Sequence, residues 1–144
     1  MLQLLDRLKA HPWARRFVVA LRVLMAVGFI PPGLTKLFGN RFTILSVETP
    51  IGYFFDALYQ TGLYWHFLGF CQVLAGVLLL IPQLATLGAL IYFPIIANIF
   101  VITISMHFRG TPVITSLMLL AVIFLLVWDI DKLRPIVAPA LRHS

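Results

Sequence analysis

The sequence predicts an all-α membrane protein: a bundle of four transmembrane helices, with a short interfacial or re-entrant helix between the first and second spans. Three observations predict it. Hydrophobic residues make up 61% of the 144-residue chain and charged residues only 11%, against about 45–50% and about 25% in a soluble domain. Four apolar runs are long enough to cross a bilayer. Lys and Arg collect at the ends of those runs. A single small domain has too little interior to hide so much apolar surface from water, so lipid must be its solvent.

Residues 1–16 form a basic amphipathic segment, with Leu2, Leu4, Leu5 and Leu8 beside Arg7, Lys9, Arg15 and Arg16. It suits an anionic membrane surface or a frayed basic leader. The apolar run that follows is too long for a cleaved signal peptide, so a retained first span is expected. The four-span domain is expected over residues 17–134. Its first span, about 17–37, holds Arg22 and Pro31-Pro32, which remove two backbone donors and predict a kink. Residues 38–62 are more polar, and the aromatic-rich stretch 51–59 within them is too short to span. The second span, about 63–81, ends at Pro82 with no charge in the link. A connection this tight predicts an antiparallel hairpin with the third span, about 84–105, which contains Pro94 and Asn98. The turn His107-Phe108-Arg109-Gly110-Thr111-Pro112 leads into the fourth span, about 113–128, which Asp129, Asp131, Lys132 and Arg134 terminate. Pro135 and Pro139 predict an irregular cytoplasmic tail over 135–144.

Four spans put both termini and the Pro82 turn on one side. That side carries Arg7, Lys9, Arg15, Arg16, Lys132, Arg134 and Arg142, whereas the other has Lys36, Arg41 and Arg109. The excess predicts cytoplasmic termini. The net charge of +6 is therefore read as membrane topology, and no nucleic-acid partner is expected. Cys71 is the only cysteine, which excludes an intramolecular disulfide and dithiol chemistry within the chain. No Cys/His spacing suits zinc, and no set of residues is read as catalytic.

Polar groups inside a membrane are costly and mark candidate sites. Arg22, Gly33 and Lys36 follow helical spacing along the first span. Gly62, Gly69 and Gly76 recur every seven residues in the second, with Gln72 on the adjoining edge. Asn98, Ser105 and Arg109 share a face of the third, and Thr115, Met118, Val122, Leu125 and Asp129 make an inner stripe on the fourth. Gln72, Asn98, His107, Arg109, Lys36 and Arg22 are the candidate ligand-binding residues. Gly33, Gly69 and Gly76 are candidates for close helix packing. The expected arrangement is a cavity near the non-cytoplasmic surface, capped by Arg109 and His107, with Asn98 and Gln72 deeper. Each residue also has a structural reading. Arg22 snorkels or makes an ion pair, Lys36 and Arg109 anchor the interface, and Gln72 and Asn98 hydrogen-bond between helices. His66 and His107 are poor haem or metal candidates without a motif, and Cys71 suits a small buried hydrophobe.

The first-span pattern Arg22…Gly28…Gly33-Leu34-Thr35-Lys36-Leu37 resembles the R…G…G-x-x-K-L signature of the DoxX-like family. The run Gly69 to Leu79 resembles its G-x-x-E-x-x-x-G-x-x-L pattern, and the stretch from Ile95 to Asp129 is also similar to its members. The likeness covers roughly residues 17–135. It implies a four-helix bundle in the bacterial inner membrane. Some relatives are subunits of quinone-linked oxidoreductases, and others assist assembly of partner proteins. In one departure, Gln72 stands where the family often has a glutamate, and an amide cannot relay protons. Three functions are consistent with this: an accessory subunit or scaffold for a membrane-associated redox partner, a binder of a quinone or lipid in an intramembrane pocket, and a small transporter that would need a homo-oligomer. Quinone is the only cofactor so implied.

Overall fold

The computed structural model describes residues 1–142. They form seven helices: α1 (Leu2–Ala10), α2 (Pro12–Leu37), α3 (Pro50–Gln60), α4 (Leu63–Leu80), α5 (Ala85–Ser105), α6 (Thr111–Trp128) and α7 (Ile130–Arg142). Among the described residues there is no strand. Helices α2, α4, α5 and α6 are each long and apolar enough to cross a membrane. Their outward side chains, such as Leu24, Phe67, Val101 and Leu120, are exposed in the isolated chain and require acyl chains as solvent.

Prolines sit where they cost least at three helix starts: Pro12, Pro50 and Pro112 all lie in the first turn, where the missing N–H has no helical partner. Helix α3 begins with Thr49, whose hydroxyl accepts from Gly52 N at 3.1 Å. At 11 residues it is about 16 Å long, half a bilayer core, and it lies across the end of the bundle opposite the termini. Pro31 and Pro32 do not end α2, which runs through them. Thr35 Oγ1 donates to the Pro31 carbonyl at 3.1 Å on the next turn.

The bundle is built as a chain of neighbours. Helix α2 packs along α4, α4 along α5 and α5 along α6, while α6 returns to α2 with little contact. Glycines set the first of these seams. A methyl group on Gly69 would lie 2.6 Å from the Gly33 carbonyl oxygen and 2.8 Å from Lys36 Cβ. On Gly76 it would lie 2.6 Å from Ile30 Cγ1. No side chain fits between the two backbones there. The core behind the seam holds Met25, Phe29, Ala75, Leu79, Tyr92, Ile96, Val122 and Leu125. Phe29 and Tyr92 stack with centroids 3.6 Å apart, and the Tyr92 hydroxyl donates to the Met25 carbonyl at 3.2 Å.

The end that carries the termini is tied by charge. Arg22 Nη2 lies 3.3 Å from Asp129 Oδ2, the Thr86 hydroxyl donates to the same oxygen at 3.0 Å, and Lys132 adds a contact at 3.7 Å. Lys9 of α1 pairs with Asp131 of α7 at 3.1 Å. The expected irregular tail is corrected here: α7 is helical from Ile130 through Pro135 and Pro139. Both prolines remove only their own N–H, and on a surface helix water can take the carbonyls so released. Residues 143–144 of that tail lie outside the described residues.

Candidate functional site

A cavity of about 220 Å³ lies near the end of the bundle opposite the termini, walled by α2, α4, α5 and α6 and closed by α3. Its surface is almost wholly apolar: Phe29, Ile96, Ile99 and Met118 line the deep part, and Phe54, Phe55 and Leu58 of α3 form the cover. Phe55 packs against Phe42 and Phe108 with centroids 4.8 and 6.1 Å away. Gly28 on α2 and Ile114 on α6 stand at its edge and are both exposed. The cavity therefore opens sideways toward lipid, between α2 and α6, which touch less than the other neighbouring pairs of spans.

Two polar side chains face this apolar space with incomplete partners. Lys36 is 6% exposed. Its ammonium reaches the Pro32 carbonyl at only 3.4 Å and sits 4.5 Å from the Phe42 ring and 5.4 Å from the Trp65 ring. No carboxylate among the described residues pairs with it. The aromatic faces offer their negative quadrupole but no net charge. Gln72 is 2% exposed, and its Oε1 has no hydrogen-bond partner among the described residues. Orphaned buried acceptors are rare in folded proteins, because each forfeits the energy of a hydrogen bond. The Gly33–Gly69 contact brings both groups to the cavity wall: on the two antiparallel helices Gln72 Cβ packs over Gly33 and Lys36 Cβ over Gly69, about one helical turn apart. On the far wall the Thr103 and Thr115 hydroxyls lie 3.2 Å apart and bond backbone carbonyls of their own helices.

The structure separates the other candidates. Arg22 precedes Lys36 by fourteen residues, about 21 Å along α2, and is held by Asp129 at the opposite end. It cannot reach the cavity. Asn98 does not lie deep in the cavity as expected. It is exposed on the lipid-facing side of α5, whereas Ile96, Ile99 and Thr103 of that helix face inward. His107 and Arg109 do not cap the cavity either. They border a neighbouring surface depression with Thr43, Leu45 and Ile51, which shares Phe42, Phe55, Phe108 and Thr111 with the main cavity. The reason for the second difference is the turn after α5. His107 adopts a positive φ of 54°, which reverses the chain before Arg109, so the face extrapolated along α5 does not extend to it. Gly33, Gly69 and Gly76 lie on the α2–α4 seam. His66 of α4 donates through Nδ1 to the Leu37 carbonyl at 2.8 Å, capping α2, and Trp65 Nε1 donates to the Asn40 carbonyl at 3.0 Å.

Sequence reasoning did not bring in Phe42, Trp65 or the aromatic cover from α3. Only the aromatic density of 51–59 pointed to them. The exposure of Asn98 carries a prediction: Asn98→Leu leaves binding in the cavity unchanged and does not lower thermal stability, measured by melting in detergent. Loss of either would put Asn98 back among the inward-facing groups.

The sequence model of the DoxX family matches residues 17–107. A chain from Bacillus subtilis (strain 168), described as "Uncharacterized protein YwoB", is 36% identical over 110 residues, which cover 72% of this chain and 71% of that one. No solved structure matches.

Proposed function

This chain is a multi-pass membrane protein that belongs to the DoxX family, and we propose that it binds the polar head of a lipid-soluble molecule, of the quinone or lipid class, in the cavity beneath α3. The observation that carries this reading is the pairing of a buried, carboxylate-free Lys36 with the orphaned Gln72 Oε1 in one apolar cavity. A hydrophobic chamber with a few convergent polar groups is the common form of a small-molecule site. At about 220 Å³ it is smaller than the roughly 300–1,000 Å³ that encloses a whole drug-sized ligand. A head and the first part of a chain fit it, and the remainder leaves between α2 and α6 into the bilayer. The termini, with Arg7, Arg15, Arg16 and Arg134 around them, face the cytoplasm of a bacterial inner membrane in this reading.

The test is a thermal-shift titration of the purified chain with decylubiquinone and with short-chain lipids. Wild type is expected to melt higher with at least one of them. Met118→Trp, which fills the cavity beside Gly28, abolishes the shift, whereas Arg109→Ala in the outer depression keeps it. Equal shifts in wild type and Met118→Trp, or none in wild type, would refute the binding site.

A further inference from the structure

We propose that the head group held in the cavity is an ionised acid with an adjacent O–H or N–H donor, the anion resting on Lys36 and the donor on Gln72 Oε1. This rests on the reading of the cavity as a binding site and assigns its ligand class. The chain leaves Lys36 without a counterion among the described residues. It has five acidic residues. Asp56 pairs with Arg41, Asp129 with Arg22 and Lys132, and Asp131 with Lys9. Asp6 and Glu48 are exposed outside the spans. None is left for Lys36, the cation this fold buries most deeply among the described residues that pair or stack. A buried charge without a partner is unfavourable, and a ligand that supplies the missing charge relieves that penalty on binding. A neutral carbonyl head, such as a quinone oxygen, would accept a hydrogen bond from the ammonium but leave its charge uncompensated.

The donor requirement comes from the acceptors. Gln72 Oε1 accepts nothing. Gly28, on the cavity wall, has lost the N–H that would pair its carbonyl, because residue 32 is proline. A 2-hydroxy acid matches both demands, with carboxylate and hydroxyl on neighbouring carbons and an acyl tail toward lipid.

The experiment is a set of equilibrium titrations of the full chain in uncharged-lipid nanodiscs, with 2-hydroxydodecanoate, dodecanoate, dodecanol and decylubiquinone below their micellar concentrations. We expect 2-hydroxydodecanoate to bind at least tenfold tighter than dodecanol, with dodecanoate between them. Gln72→Glu gives Lys36 an internal counterion and sets a negative charge against a bound anion, so the acid loses at least tenfold while dodecanol changes little. Lys36→Met removes the acid preference by the other route, should Gln72→Glu fail to fold. Dodecanol or decylubiquinone binding wild type as tightly as the acids, or a Gln72→Glu variant that keeps the preference, overturns the assignment while the binding site itself stands. Binding of none of the four overturns both.

Discussion

Gly69→Leu is expected to abolish the folded bundle in detergent, as loss of the monodisperse elution peak and of a cooperative melt. Even the first added carbon meets the Gly33 carbonyl at 2.6 Å and Lys36 Cβ at 2.8 Å, far inside van der Waals contact. Neither neighbour is the free end of a flexible chain, so the two helices must move apart along their length. Overpacking a core that can adjust costs roughly 1–3 kcal/mol; a seam of backbone against backbone cannot adjust, and the cost is larger. Because Lys36 and Gln72 hang from this seam, separation of α2 and α4 dismantles the cavity as well. Val101→Leu, on an exposed face of α5, serves as the control with an unchanged melt. A Gly69→Leu variant with native melting would contradict the close approach.

Asp129→Leu is expected to lower the melting temperature on the order of 10 °C, while Arg22→Met combined with Asp129→Leu recovers most of it. Removing one partner of a buried ion pair costs roughly 3–5 kcal/mol, because the other charge is left uncompensated. Arg22 keeps some exposure, so the low end, about 3 kcal/mol, applies here. Asp129 also accepts from Thr86, so one carboxylate ties α2, α5 and the start of α7. Replacing both charges removes the penalty, and the difference between the single and double variants isolates the pair. Equal destabilisation in both would assign the loss to packing instead. Ligand binding at the other end of α2 is unaffected in either case, since the two sites lie about 21 Å apart along the helix.

The spans were legible because each is a long apolar run with charges only at its ends, and the shortness of 51–59 marked α3 as unable to cross. The helical tail was not legible. Pro135 and Pro139 read locally as breakers, and among the described residues the pairings of Asp131 with Lys9, 122 residues apart, and of Lys132 with Asp129 show what holds α7 in place. Asn98 was misplaced for a different reason. Helix α5 is apolar on every side, so its sequence does not say which face meets protein and which meets lipid. Spacing grouped Asn98 with Arg109 correctly for a continuous helix, but His107 turns the chain before that helix reaches Arg109. Gln72 was legible because glycines at 69 and 76 mark the side of α4 that meets another helix. Lys36, at the end of a span, reads from sequence both as a candidate ligand-binding residue and as an interfacial anchor. Its burial depends on Phe42 and Trp65 folding over it from other segments, which local pattern does not encode.

The central claim is that the cavity beneath α3 holds part of a lipid-soluble molecule. Photoaffinity labelling tests it most directly, with a dodecyl probe carrying a diazirine near its head and the adducts located by mass spectrometry. Adducts are expected on Phe29, Ile96, Ile99 and Met118, competed by unlabelled 2-hydroxydodecanoate and absent from the Met118→Trp variant. Adducts confined to lipid-facing positions such as Val101, Leu117 and Leu120, with no competition, would contradict it.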